Sequence, residues 1–113
     1  MNKKIAVYTH NSAGVEEHIA NALERIDVFI KANFGDVDYD VYVDRGKCSG
    51  ERPDFNRLMD NVRKGKYDRL IVPHLNRLYR MYPDAPETEK KYNEICDELK
   101  HYEIEIIDIS CLA

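Results

Sequence analysis

Cysteine is scarce in this chain: Cys48, Cys96 and Cys111 are odd in number and far apart. No pair has zinc-ligand spacing, so the expectation is reduced thiols in a cytoplasmic protein, with no disulfide frame and no metal. A secretory leader is absent as well. Met1-Asn2-Lys3-Lys4 is basic, but the apolar run behind it is only a few residues long. No stretch has the length to span a membrane, which removes a membrane partner. Internal repeats, low-complexity tracts and interdomain linkers are also missing. A chain of 113 residues then suits a single domain that buries its core without staples.

What is present is an ordinary globular composition, 43% hydrophobic and 34% charged. The net charge of −4 argues against a strong free-standing binder of DNA, because neutralising phosphates dominates such affinity. A local basic stretch exists nonetheless. Arg52, Arg57, Arg63, Lys64, Lys66, Arg69, Arg77 and Arg80 follow one another closely, while acidic residues gather in Asp36 to Asp44 and from Asp84 onward. Most such charges are solvated helix faces.

Hydropathy patterning divides the chain into alternating elements. Ile5 to Thr9 is a short apolar strand, and His10 to Gly14 reads as a loop. A helix is expected from Val15 to Ala32, with Ile19, Leu23, Ile26 and Ile30 as its apolar stripe and Gly35 as its cap. Tyr39 to Asp44 is the second strand, and Arg45 to Arg52 a glycine-bearing loop. Pro53 opens a helix to about Lys64, with Phe55, Leu58, Met59 and Val62 inward and Gly65 as its stop. Asp68 to Pro73 is the third strand. His74 to Pro86 reads as a short turn and an irregular loop, the least regular and most mobile part. Glu87 to His101 is a third helix facing inward through Tyr92, Ile95 and Leu99, and Glu103 to Ile109 a fourth strand.

Strands alternating with helices of this length imply βαβ crossovers, a mostly parallel sheet of four or more strands in the order 2-1-3-4, and helices on both faces. Such sheets bind ligands beyond the carboxyl ends of their strands. That rule selects His10–Gly14, Arg45–Arg52 and His74–Arg80. These segments offer the hydroxyl of Ser12, arginines 45, 52, 77 and 80, and two histidines. A serine among arginines suits phosphate chemistry. The plain alternative is that Ser12 caps the first helix and the arginines are solvated.

Tyr8-Thr9-His10-Asn11-Ser12, Asp44, Ser49-Gly50, Arg52-Pro53, the strand Gly65 to Val72, and Leu75-Asn76-Arg77-Leu78-Tyr79-Arg80 follow one another at consistent separations. In that order they resemble the catalytic domain of the serine site-specific recombinases, the resolvase/invertase family, over almost the whole chain. The resemblance implies a resolvase-like three-layer fold. It also implies DNA strand cleavage through a phosphoserine link, exchange of the broken ends within a tetramer, and rejoining, without metal or other cofactor. By position, Ser12 is the nucleophile, Arg52, Arg77 and Arg80 hold the DNA phosphate and assist the leaving group, and Asn21 and Asp44 support them.

Three positions depart from the family pattern. His10 stands where the family has arginine, Asn76 where it has aspartate, and Tyr79 where it has glycine or another small residue. Histidine cannot form the arginine fork, and asparagine cannot take a proton. His10 and Asn76 therefore imply a weakened site. The long dimerisation helix and the DNA-binding domain that follow in family members are expected to be lacking from residues 1–113. On that basis the partner is double-stranded DNA in a full-length context, as a homodimer or tetramer when active. The chain alone is expected to be a monomer or weak dimer. The main alternative is a degenerate, non-catalytic resolvase-like interaction domain. A flavodoxin-type phosphate module built on Thr9 to Gly14 fits the later loops poorly, and a cysteine phosphatase on Cys48 and Arg52 has too short a separation.

Overall fold

A computed structural model describes residues 4–11, 13–45, 52–77, 79 and 84–111; of Asn76 and Cys111 it describes the backbone alone. Ser12, the Gly46–Glu51 loop and Arg80 lie outside the described residues.

The central strand, β1 (Ile5–Asn11), is buried from Ile5 through His10. It pairs in parallel with β2 (Tyr39–Arg45) on one side and β3 (Arg69–Val72) on the other, and β3 pairs in parallel with β4 (Glu105–Asp108). The order is β2-β1-β3-β4, the expected one. Hydropathy ends β1 at Thr9, but the strand runs two residues further. His10 pairs with Asp44 and Asn11 with Arg45, because β2 continues alongside and satisfies their backbone groups. His10 is thus a buried strand residue and not part of a loop.

Strand alternation sends opposite sets of side chains to the two faces. Ile5 and Val7 meet Ile26 and Ile30 of α1 (Glu16–Phe34), with Leu23 packed against them. Ala6 and Tyr8 meet Phe55, Leu58, Met59 and Val62 of α2 (Pro53–Arg63) and Leu99 of α3 (Pro86–His101). Helices therefore cover both faces, as the crossovers require. Each fully buried large aliphatic side chain here contributes about 1.5–3 kcal/mol. Tyr92 and Ile95 are only half-buried, since α3 lies beside the short edge strand β4.

The element ends have local causes. α1 runs two residues past Ala32, to Phe34, and ends at the expected cap, Gly35, at φ 77°. Proline stands in the first turn of both α2 and α3, so α3 begins at Pro86 and not at Glu87. β4 is shorter than its apolar run. Glu103 turns through φ 59° and the Ile104 amide bonds back to the Leu99 carbonyl, while Ile109 opens a final turn of 3₁₀ helix. Within 74–86 the described residues show a 3₁₀ turn, Leu75–Arg77, and a turn at Asp84 with a lone bridge at Ala85 before α3, in line with an irregular segment. Among the described residues no helix is long and apolar enough to cross a membrane.

Candidate functional site at the carboxyl edge

The turn after β1 is organised by Asn11. Its side-chain Oδ1 accepts from the amides of Ala13 and Val15, each at 3.1 Å, and its carbonyl accepts from Gly14 at 3.0 Å. Gly14 sits at φ 64°, which only glycine takes without strain; space is not the reason, since an added Cβ would meet Arg45 at an ordinary 3.9 Å. Asn11 thus ties Ala13, Gly14 and Val15 to the end of β1. The cap position of α1 is Val15, which makes no side-chain cap. Asn at the first position and Gly at the fourth is a turn signature that would have singled out Asn11 in the sequence.

At the end of β2, Asp44 is buried and accepts three hydrogen bonds. Two come from the Asp54 and Phe55 amides, at 2.9 and 2.8 Å, and these begin α2. Asp54 returns the bond, accepting from the Val43 amide at 2.9 Å. The third donor is the Tyr8 hydroxyl, at 2.8 Å. That phenol in turn accepts from Arg52 Nε at 3.2 Å and Nη2 at 3.1 Å. Burial pushes the Tyr8 hydroxyl well above the usual phenol range, against the pull of the Arg52 charge, so it stays a donor to Asp44.

Arg52 is only 7% exposed. Its guanidinium lies 4.1 Å from the ring centre of Phe55, 5.4 Å from Tyr8 and 5.9 Å from Tyr79. Nη2 also donates to the Arg77 carbonyl at 3.2 Å. The expected phosphate ligand therefore faces inward, stacked on aromatic rings and tied to the backbone of a second expected ligand.

Arg77 closes the 3₁₀ turn after β3. Its amide bonds the His74 carbonyl at 2.9 Å, and the Leu75 amide bonds Asp108 at 3.0 Å, fixing the turn to the end of β4. The Arg77 side chain lines an open cleft of about 410 Å³ together with His10, Asn11, Asn21 and His74. His74 is exposed, as are His18 and His101.

Of the residues picked out by sequence, His10, Asn21 and Arg77 meet in this cleft. Arg52 touches its rim through the Arg77 carbonyl, and Asp44 reaches Arg52 through Tyr8. Ser12 and Arg80 lie outside the described residues, and of Asn76 only the backbone is described. Cys48, Ser49 and Gly50 also lie outside them.

A family model, the resolvase N-terminal domain, matches residues 6–110. The chain belongs to the resolvase N-terminal domain family. Serine recombinase membership brings with it, in general terms, interaction with DNA and assembly into oligomers. Solved structures agree with the resolvase-like fold. The N-terminal catalytic domain of TP901-1 integrase is 25% identical at a TM-score of 0.70, over 96% of this chain and 78% of that one. A resolvase family site-specific recombinase from Streptococcus pneumoniae is 23% identical at 0.72, over 96% and 73%. A serine recombinase from Sulfolobus solfataricus is 18% identical at 0.71, over 96% and 69%. These last two speak to the fold alone. No curated protein matches the chain.

Proposed function

We propose that this resolvase-family domain carries out site-specific recombination of duplex DNA with Ser12 as nucleophile. The Ser12 oxygen attacks a backbone phosphorus, the bond to the 3′ oxygen breaks, and that oxygen leaves as a hydroxyl. The serine proton is lost and an equivalent proton gained at the leaving oxygen, so the step balances with no energy input. Attack of the 3′ hydroxyl of an exchanged strand on the phosphoserine reverses it. Charge grows on the phosphoryl oxygens along the way, and guanidinium groups stabilise it. Arg77, Arg52 and Arg80 supply those groups, with His10 and Asn76 in weakened supporting roles and Asn21 and Asp44 behind them.

The observation that supports this reading is the hydrogen bond from Arg52 to the carbonyl of Arg77, a residue that lines one cleft with His10 and Asn11 at the end of β1. Two arginines from different crossovers meet at the edge where a parallel sheet presents its ligands. The active form is a homodimer or tetramer on double-stranded DNA in the cytoplasm. Residues 1–113 act as the catalytic unit. Alone, the chain is a monomer or weak dimer that binds duplex DNA poorly at physiological salt, given its net charge of −4.

The inward packing of Arg52 favours a second reading, a non-catalytic resolvase-like interaction domain. The deciding test joins the chain to the dimerisation helix and DNA-binding domain of a family member and looks for covalent protein–DNA adduct on that member's site. Adduct supports recombination; its absence, with DNA binding intact, supports the interaction domain.

A further inference from the structure

The cleft has a second wall, made by α1. His18, Asn21, Ala22 and Arg25 line it, at helical positions i, i+3, i+4 and i+7, so a single face of α1 looks into the space that Arg77 enters. The charges of this face are unusual for the molecule. Seven arginines are described. Arg45 pairs with Glu16, Arg57 with Asp54, Arg63 with Asp60 and Glu98, and Arg69 with Glu105. Arg52 is engaged with Tyr8 and the Arg77 carbonyl. Arg25 and Arg77 remain, and neither side chain makes an ion pair or hydrogen bond among the described residues. Both line the one cleft. Among the described residues no carboxylate lines it. Asp108 stands behind the wall, with its oxygens held by the Leu75 amide and by Ser110.

In an acidic chain that pairs most of its arginines, two unpaired arginines lining one concavity, with His18 on the α1 wall, set up a field that attracts anions. The space, about 410 Å³, is larger than a single phosphate group fills, and it is open on one side. We infer that Arg25, assisted by His18, forms a second phosphate subsite on α1, which takes a DNA backbone phosphate next to the one held at Arg77. The subsite rests on the proposed action on DNA. It extends the contact surface to a helix face that the sequence motifs do not mark.

The test is a titration of the isotope-labelled chain with a short DNA duplex at low salt, followed by NMR, with inorganic phosphate as a parallel probe. The Arg25 Nε–H and His18 ring signals should move with duplex. Arg25→Gln should weaken duplex binding about five-fold and lower the slope of log affinity against log salt by about one, while Arg25→Lys keeps most of both. Arg25 is exposed on a helix and glutamine is a good helix former, so an unchanged backbone spectrum is expected and shows the variant is folded. Three outcomes overturn the subsite. Arg25 and His18 stay still at millimolar duplex, Arg25→Gln leaves affinity and slope unchanged, or inorganic phosphate alone reproduces the whole response, which marks a small-anion site. Covalent adduct formation by the fused protein is measured alongside. Adduct with a silent Arg25 sinks the subsite alone; a responsive Arg25 without adduct sinks the strand-cleavage reading alone.

Discussion

The hydroxyl of Tyr8 donates to the carboxylate of Asp44 at 2.8 Å. This bond couples the start of α2 to the setting of Arg52, because Asp44 also holds the first amides of that helix and Tyr8 receives two of the Arg52 donors. Scaffold and candidate phosphate ligand share one buried polar network, so neither can be disturbed alone.

Removing Asp44 should therefore cost more than a surface change. Asp44→Ala strips three hydrogen bonds from a buried acceptor and leaves the Tyr8 hydroxyl and two helix amides unsatisfied. The expected loss is about 3 kcal/mol, near the upper range for a single substitution. Urea unfolding of the variant against the parent checks it; a loss below about 1 kcal/mol would show that the network relaxes around the gap.

Tyr79 contributes to the inward hold on Arg52. At 5.9 Å its ring lies at the limit of cation–π range, so its share is small, about 0.5 kcal/mol, beside that of Phe55 at 4.1 Å. Tyr79→Gly should raise the rate at which an arginine-specific dicarbonyl labels Arg52 roughly two-fold, read by mass spectrometry, while Tyr79→Phe leaves it unchanged. Equal rates in all three proteins would remove Tyr79 from the hold.

Much of this arrangement is legible in sequence, and what is not has identifiable causes. The inward residues of α2, namely Phe55, Leu58, Met59 and Val62, are all buried, since a sustained apolar stripe fixes a helix face. The parallel order follows from short crossovers. His10 misleads, because a polar residue at the end of a central strand carries no hydropathy signal and its burial depends on how far β2 extends beside it. Arg52 misleads for a different reason. A sequence registers its charge, but not that Phe55 and Tyr8 offer ring faces and a phenol oxygen that let a guanidinium be buried.

Asp108 should give the fold an acid-sensitive component. Burial pushes its carboxyl up, but hydrogen bonds from Ser110 and Leu75, with the charge of His74, hold it below the usual aspartate value. A depressed folded value means the stabilisation is complete above the unfolded value of about 3.9 and is lost as pH falls through the folded one. Asp108→Asn should thus be about 1 kcal/mol less stable than the parent at pH 7, a figure kept small by partial exposure, and the gap should close below about pH 4. Thermal melts across pH 2.5–7, run on both proteins, measure it. A gap independent of pH would contradict the assignment.

The proposed weakness of the site lies at His10 and Asn76. His10→Arg supplies a permanent forked charge in the cleft, and Asn76→Asp supplies a carboxylate able to orient or accept a proton. In the fused protein the double variant should form adduct faster than the parent, about ten-fold or more, and the two effects should be coupled because they serve one site. Strict additivity, or no gain, would place the limitation elsewhere.

The most direct test of the account is adduct formation with Ser12→Ala, in the parent and the double-variant backgrounds of the fused protein. The nucleophile role of Ser12 predicts that the covalent protein–DNA band on a denaturing gel vanishes in both, and that peptide mapping of the unsubstituted protein finds the nucleotide on Ser12. A covalent adduct that persists in Ser12→Ala would contradict it.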